Sequence, residues 1–275
     1  METTEIAFIG AGNMATSLIG GLITDNYPPQ KIWASNIREE KLEILASNYH
    51  INTTTDNKEA ANQAKIVVLC VKPQVLAEVS QELADIVQLR QSLVISISAG
   101  VPTDVLSKWL GNNVPIVRCM PNPPALVGAA ATGLYANKLV DRQQKDIAEH
   151  LLRAVGITEW LDTEEQMDVI TALSGSGPAY FFLMIETLQR EAEGLGLSPD
   201  VAKLFSIQTA LGAAKLLLES GTDVEILRER VTSPGGTTEA AINLLERDNF
   251  CNIVANAMKA ADERAREIAE LFRGN

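Results

Sequence analysis

Histidine and cysteine are scarce in this sequence of 275 residues, which has two of the first and three of the second. His50 and His150 have no partner at the spacing of a metal site or a catalytic triad, so both are interpreted as surface or boundary residues. The odd number of cysteines, without a C-x-x-C pair, supports neither a disulfide framework nor a zinc site. We therefore expect Cys70, Cys119 and Cys251 to be buried free thiols, and we expect no metal.

Long apolar runs and an excess of positive charge are also missing. Purely apolar stretches such as 66–71 and 179–185 are far shorter than the roughly 20 residues of a membrane-spanning helix. The first five residues are acidic, whereas a secretory signal begins with basic residues and continues into a longer apolar segment. A formal net charge of -12 argues against nucleic acid or an anionic membrane as the main partner. These absences predict a cytoplasmic protein.

The residues that are present describe a folded protein of about two domains, because 46% of them are hydrophobic and 21% are charged. The first part alternates short β-branched runs with helical patterns, which predicts an α/β fold with a mainly parallel sheet and helices on both faces. The predicted strands are 6–9, 31–34, 66–71, 93–98 and 116–119, with 132–135 and 157–161 extending the sheet at one edge. The predicted helices are 14–23, 39–47, 75–87, 102–110 and 141–155.

The residue pattern changes after about Thr163, where strand patterns disappear and Ala-, Leu- and Glu-rich stretches follow. The predicted helices there are 164–173, 179–194, 199–219, 237–247 and 251–272. We therefore predict a Rossmann-type domain over 1–162 and an all-helical domain over 163–275. The helical part is more apolar than about 110 residues require, which fits either an oligomer interface or a packed internal core.

A dinucleotide-binding turn opens the chain, where the apolar run 6–9 leads into Gly10-Ala11-Gly12-Asn13-Met14-Ala15 and then a helical pattern. In such a GxGxxA turn the first glycine permits the bend, the second lets the backbone approach a pyrophosphate, and the small third residue packs the helix on the strand. The pyrophosphate lies at the helix N-terminus, where free N–H groups favour anions. The strand–turn–helix context favours cofactor binding over a purely structural turn.

The end of the second predicted strand indicates which dinucleotide binds. NAD-binding folds usually carry an acidic residue there for the ribose 2′-hydroxyl, and this chain has Asn36 and Arg38 instead. An amide and a guanidinium can hydrogen-bond and neutralise a 2′-phosphate. The pattern favours NADPH, with NADH as a weaker substitute; the alternative is that Arg38 is a solvated surface charge.

Two further strand ends complete the predicted cofactor site. Val71-Lys72-Pro73 follows one buried strand and Ser98-Ala99 ends the next, both at the carboxyl edge where ligands lie in open α/β sheets. Small residues at this edge let a flat nicotinamide ring approach the backbone. Taken alone, both segments are also ordinary exits from a strand.

Three segments are more specific than a general Rossmann pattern: RCMPNPP at 118–124, LSGSGPAY at 173–180 and SPGGTT at 233–238. Together with the opening GAGNMA they resemble pyrroline-5-carboxylate reductases, in the same order and over essentially the whole chain. The resemblance implies reduction of 1-pyrroline-5-carboxylate to L-proline, the last step of proline biosynthesis, by hydride transfer from NADPH to the ring imine carbon.

The substrate has a carboxylate and a ring C=N bond, so its site needs an anion cradle and a hydrogen-bonding group at the ring nitrogen. The loop 233–238 precedes a predicted helix, and its N–H groups and hydroxyls suit a carboxylate. The resemblance implies that Thr238 bonds the ring nitrogen, that Gly236 and Thr237 contact the carboxylate, and that Glu164 lies at the substrate site. Thr238 and Ser176 are accordingly predicted to be catalytic, and Ser233 and Gly235 complete the predicted substrate-binding set.

The resemblance also places Asn57 at the cofactor site and implies an interlocked homodimer, with rings of dimers such as a decamer beyond it. Some relatives have an uncharged polar residue at position 230, whereas this chain has Arg230, which either adds to phosphate binding or faces solvent.

Three other functions stay open at this point. A β-hydroxyacid dehydrogenase needs a catalytic lysine within a glycine–asparagine pattern, which Lys203, Lys215 and Lys259 lack. A deazaflavin-dependent NADP reductase shares the opening motif but has no need of the SPGGTT loop. A nucleotide-sensing protein without catalysis is disfavoured by the intact Ser176 and Thr238.

Overall fold

The computed structural model describes residues 4–274, whose contacts divide into two compact units. The sheet unit runs to Ser176 and resumes at Ala261, and the helical unit is Gly177–Ala260. The domain boundary predicted at 162/163 lies two residues after the end of the last strand, at Trp160, and differs from this division. The domain assignment therefore stays a prediction.

An eight-stranded sheet forms the centre of the sheet unit, in the order β3-β2-β1-β4-β5-β6-β7-β8. Neighbouring strands are parallel except β6 and β7, which are antiparallel, so the predicted mainly parallel Rossmann-type sheet is confirmed. The predicted edge extension is confirmed as well, as β7 and β8. The strands are β1 Ile6–Ile9, β2 Ile32–Ser35, β3 Asn52–Thr54, β4 Ile66–Leu69, β5 Leu93–Ser96, β6 Ile116–Met120, β7 Ala130–Ala136 and β8 Gly156–Trp160.

Helices cover both faces of this sheet, and side-chain alternation along the strands explains why. In β1, Phe8 contributes to the apolar cluster on one face and Ile9 to the cluster on the other, and both are fully buried. The helices are α1 Asn13–Thr24, α2 Glu39–Tyr49, α3 Asn57–Gln63, α4 Pro73–Arg90, α5 Thr103–Leu110, α6 Arg142–Arg153 and α7 Gln166–Ile170. Two 3-10 turns, Pro29–Lys31 and Pro123–Val127, and a π-helical turn, Thr171–Gly175, complete the unit.

The helical unit contains α8 Gly177–Gly194, α9 Pro199–Ser220, α10 Val224–Arg230, α11 Thr237–Arg247 and the first half of α12 Phe250–Arg273. The described residues form no strand after β8, so the all-helical prediction is confirmed. The second half of α12 belongs to the sheet unit. In that unit the Phe272 ring meets Trp109 of α5 edge to face, with 6.3 Å between the ring centroids.

Apolar side chains of the helical unit are extensively exposed in the single chain. On α8, Phe181 and Phe182 are 69% and 64% exposed, and on α9 Phe205 is 64% exposed. Within the described residues, two helical stretches, 166–194 and 199–220, are long and apolar enough to cross a membrane by length and composition alone. That criterion is weak evidence, because helices that pack in a soluble protein also meet it.

The cysteines differ in part from the expectation. All three are free, and Cys119 is buried, but Cys70 is partly exposed and Cys251 is exposed, so the prediction of a buried thiol is wrong for Cys251. Burial raises the pKa of the Cys70 and Cys119 thiols. Both thiols are therefore protonated and unreactive at neutral pH.

Candidate active site

The turn between β1 and α1 has the geometry of a phosphate-binding turn. Gly10 adopts a φ of 99°, and a Cβ atom at this position would lie 2.9 Å from Cγ1 of Val71. Its N–H donates to the carbonyl of Ser35, which ties the turn to β2 at 2.9 Å. Gly12 is the N-cap of α1 and faces open space, so the backbone there is accessible to a ligand. The first N–H groups of α1 have no acceptor within the helix, as a pyrophosphate site requires.

A cavity of about 770 Å³ opens beside this turn, between the ends of β1 and β4. Ligands of open α/β sheets bind at this position, where the strand order reverses direction, and the volume is within the range of cofactor sites. Seven of the predicted cofactor residues line it: Gly10, Gly12, Asn36, Arg38, Asn57, Val71 and Lys72.

The other predicted cofactor residues lie close by in the same unit. Ala11 is buried in the turn, and Asn13 and Met14 begin α1. Pro73 is the first residue of α4. Ser98, followed by Ala99, donates its hydroxyl to the carbonyl of Val71 at 2.7 Å and so fixes the exits of β4 and β5 relative to one another.

Two amide side chains organise the far end of the cavity. The side-chain oxygen of Asn36 accepts the backbone N–H of Arg38 at 2.9 Å. Arg38 itself is exposed where α2 begins. The oxygen of Asn57 accepts the Ser35 hydroxyl at 2.8 Å, and its NH₂ donates to Glu82 at 3.3 Å. No acidic side chain stands at the end of β2, as expected for a 2′-phosphate site.

Sequence reasoning missed other residues of this cavity, notably Ile37 and Lys41. Arg38 is the N-cap of α2 and Lys41 lies in its first turn, and both line the cavity, which places two cations at this end of it. Ile37 is 88% exposed, which offers an apolar surface to a ligand. The closeness of Lys41 to Arg38 in the sequence was the available signal.

A second group of polar residues surrounds Glu164, just after β8. One carboxylate oxygen of Glu164 accepts the N–H of Thr103 at 2.7 Å and bonds to the guanidinium of Arg118 at 3.1 Å. The other oxygen accepts the Thr103 hydroxyl at 2.7 Å. Arg118 is 4% exposed, so Glu164 compensates a buried charge and ties β6 to the N-terminus of α5.

Arg118 has a second carboxylate neighbour, Asp168 of α7, at 3.7 Å. Desolvation raises the pKa of Asp168, and Arg118 opposes that shift only in part. The nearby carboxylate of Asp262, on the part of α12 that belongs to the sheet unit, raises the pKa further. This is the least compensated charge of the group.

The predicted catalytic Ser176 follows the π-helical turn Thr171–Gly175, and its N–H donates to the carbonyl of Thr171 at 2.8 Å. π-helical turns are rare and are frequent at functional sites. Ser176 ends the first part of the sheet unit, and α8 starts at the next residue.

The SPGGTT loop forms the N-terminus of α11 in the helical unit, as predicted. The N–H of Gly236 donates to the carbonyl of Ser233 at 3.0 Å, and the N–H of Gly235 donates to the Glu239 side chain at 2.7 Å. Thr237 and Thr238 are the first residues of the helix, so their N–H groups have no acceptor within it.

Comparison with known proteins covers both units. Residues 164–268 match the profile for pyrroline-5-carboxylate reductase dimerisation, and residues 5–100 match the profile for coenzyme F420-dependent NADP oxidoreductases. A pyrroline-5-carboxylate reductase of Pseudomonas aeruginosa is 49% identical over 270 residues, which are 98% of each chain. The chain belongs to the pyrroline-5-carboxylate reductase family. The profile of the deazaflavin enzymes covers only residues 5–100, so it reflects the dinucleotide fold that the two families share.

Solved pyrroline-5-carboxylate reductases have the same fold. The structure from Coxiella burnetii superposes with a TM-score of 0.94 at 47% identity and covers 98% of this chain and 99% of its own. The Plasmodium falciparum structure, which has NADP bound, superposes with a TM-score of 0.87 at 30% identity and covers 98% of this chain and 99% of its own. NADPH is the cofactor of this family member, in agreement with the cavity and its cationic end.

Arg230 is the last residue of α10. It is exposed in the single chain, within the helical unit. Its two predicted roles, phosphate binding and a solvent-facing charge, stay predictions.

Proposed function

We propose that this protein reduces 1-pyrroline-5-carboxylate to L-proline with NADPH, the last step of proline biosynthesis. The observation that carries the proposal is the relationship to pyrroline-5-carboxylate reductases at 49% identity over 98% of both chains. The cavity at the switch point of the sheet, with Asn36 and Arg38 at its far end, supports the cofactor half of the reaction independently.

The roles of individual residues follow from their chemistry. NADPH supplies, when bound, the hydride that the imine carbon accepts. We propose that Gly10 to Met14 hold its pyrophosphate, that Asn36, Arg38 and Asn57 bind the ribose end, and that the strand exits 71–73 and 98–99 border the nicotinamide. The open N–H groups at Gly12 and the exposed guanidinium of Arg38 support these positions.

For the substrate, we propose that the loop Ser233–Gly236 and Thr237 hold the carboxylate and that the Thr238 hydroxyl accepts a hydrogen bond from the N–H of the protonated ring imine. The α11 N-terminus supports this, since the N–H groups of Thr237 and Thr238 have no acceptor within the helix and favour an anion, whereas those of Gly235 and Gly236 are bonded to Glu239 and Ser233. An iminium that is already protonated needs no strong acid, so Thr238 and Ser176 act by orientation and polarisation. Glu164 is proposed to border the substrate site while it holds Thr103 and Arg118 in place.

This reductase self-associates through its helical part, which carries the family's dimerisation profile. We propose an interlocked homodimer, with a decamer as a ring of such dimers. The exposed phenylalanines 181, 182 and 205 support burial against a second copy, because patches of this kind are costly in water. The same association would bury the apolar surfaces of these helices. We propose that the protein is cytoplasmic.

A spectrophotometric assay tests the proposed function. Purified protein is mixed with NADPH and 1-pyrroline-5-carboxylate, and the loss of NADPH absorbance is followed together with proline formation by mass spectrometry. We expect turnover with this substrate and none with hydroxy-acid, keto-acid or deazaflavin panels. If no proline forms while a compound of one panel is reduced, the proposed function is wrong and the protein catalyses the reaction of that panel instead.

A further inference from the structure

Asn122 is a buried amide that none of the proposed roles uses. It is 6% exposed and follows β6 in the loop that leads to the 3-10 turn Pro123–Val127. Its NH₂ donates to the carbonyl of Ser174 at 2.9 Å, and its oxygen accepts the N–H of Ala131 at 3.0 Å. One side chain therefore joins the loop after β6 to both β7 and the π-helical turn.

Contacts with Met120 and Asn122 restrict the π-helical turn. Met120, at the end of β6, packs so closely that a Cβ atom at Gly175 would lie 2.7 Å from its methyl group. The hydroxyl of Ser174 donates to the carbonyl of Ile170 at 3.1 Å, a bond between neighbouring helical turns. The carbonyl of Ser174 accepts from Asn122, which lies outside the turn. The next residue but one is Ser176.

We propose that Asn122 is a positioning residue for the reduction, which sets the place of Ser176 by holding the Ser174 carbonyl. The inference rests on the proposed function, since it assigns a second role to the same site. An amide is suited to this because one end donates and the other accepts. A displacement of about 1 Å at a reacting group can reduce turnover about a hundredfold, so one such bond has a large effect on rate.

The chain offers a matched control in Asn137. Its oxygen accepts the N–H of Ile116 at 3.2 Å, and its NH₂ donates to the carbonyl of Val114 at 2.9 Å. It thus bridges the same two strands with the same kinds of bonds, at the opposite end of β6. A purely structural effect of losing an amide donor should appear at both positions.

The experiment compares N122D and N137D with the wild type. In N122D the ionised carboxylate retains an acceptor for Ala131 but places negative charge against the Ser174 carbonyl. We expect kcat to fall at least about tenfold while the Kd for NADPH, measured by fluorescence, stays within about twofold. N137D should lower Tm and leave kcat within about twofold of the wild type.

The pH profile gives a readout that a structural role would not produce. A protonated carboxyl can donate to the Ser174 carbonyl, so the kcat of N122D relative to wild type should rise between pH 7.5 and 5.5. N122A, which cannot donate at any pH, should show no such recovery. If N122D does not fold, N122S replaces it and must show the same separation of kcat from NADPH affinity.

The inference is overturned if N122D keeps kcat within twofold of wild type, or if N137D lowers kcat as strongly. Wild-type turnover is measured first, which separates the two proposals. No proline formation by the wild type would overturn both, whereas normal turnover by N122D would overturn the positioning role alone.

Discussion

A single guanidinium carries much of the expected choice between NADPH and NADH. Arg38 is exposed at the start of α2 and lines the cavity, and its backbone N–H donates to the side chain of Asn36. Lys41 lines the same cavity and adds a second cation. Charge-assisted bonds to a phosphate are about twice as strong as neutral ones, which makes this end the place where the extra phosphate is recognised.

We expect R38A to raise the KM for NADPH about tenfold or more while the KM for NADH changes little, because only NADPH has the 2′-phosphate. Steady-state kinetics with both cofactors provides the measurement. K65A, on the loop before β4, removes an exposed charge outside the cavity and is the control. Equal increases for both cofactors in R38A would contradict the assignment.

Thr238 gives the second prediction at this scale. T238A should lower kcat at least about tenfold, the scale of losing one positioned hydrogen-bonding group, while the Kd for NADPH is retained. T238S keeps the hydroxyl and should recover most of the activity. Near-normal turnover of T238A would remove the residue from the mechanism.

At the scale of elements, the glycine turn after β1 combines two requirements that mutations can separate. G10A introduces a Cβ 2.9 Å from Val71 on a backbone with φ of 99°, so we expect a lower Tm and loss of NADPH binding. G12A adds a methyl group in open space at an ordinary φ of -89°, so Tm should hold while NADPH affinity falls. Calorimetry and fluorescence titration measure the two effects, and a stable G10A would contradict the strain argument.

Asp168 of α7 makes one contribution to the pH dependence of stability. The pKa of Asp168 is raised in the folded protein, so the native state takes up its proton at a higher pH than the unfolded chain does. Ionised Asp168 therefore costs stability at neutral pH, and the cost disappears as pH falls through the native pKa toward the unfolded value of about 4.

The corresponding substitution is D168N, which removes the titration. We expect the unfolding free energy of wild type relative to D168N to rise as the pH is lowered from 7.5 to 4.5, as measured by urea unfolding followed by circular dichroism. A difference that is constant over this range would show that Asp168 does not titrate as its surroundings indicate.

Sequence patterns located most of these elements and missed those with no apolar period. β3 is Asn-Thr-Thr and α3 reads NKEAANQ, held at its start by the Asp56 carboxylate that accepts two backbone N–H groups. Helix α10 was missed for a different reason: it has seven residues, which is too short for a helical pattern of apolar residues to be recognised. The pairing of Arg118 with Glu164 depends on residues 46 positions apart, which no local pattern shows.

At the scale of the whole molecule, association is the property most open to a direct test. The wild type should have a solution mass at least twice 29.7 kDa by light scattering, and its Tm should rise with protein concentration. F205E, in the exposed apolar surface of α9, should shift the mass toward that of a monomer. L89E places the same charge at a residue of α4 that is 86% exposed and should leave the oligomer intact. A monomeric wild type, or equal dissociation by L89E, would contradict an interface at α9.

The return of α12 into the sheet unit has a consequence for evolution by domain exchange. Phe272 packs against Trp109, and Arg273 lies 3.9 Å from Asp104, so the face of α5 is completed by residues encoded about 160 codons later. A gene fragment that stops at Ser176 would encode the sheet without this cover. The nucleotide-binding unit is therefore encoded by two separated segments of the gene. A recombination event that transfers the first segment alone would leave the second, and its contacts with α5, behind.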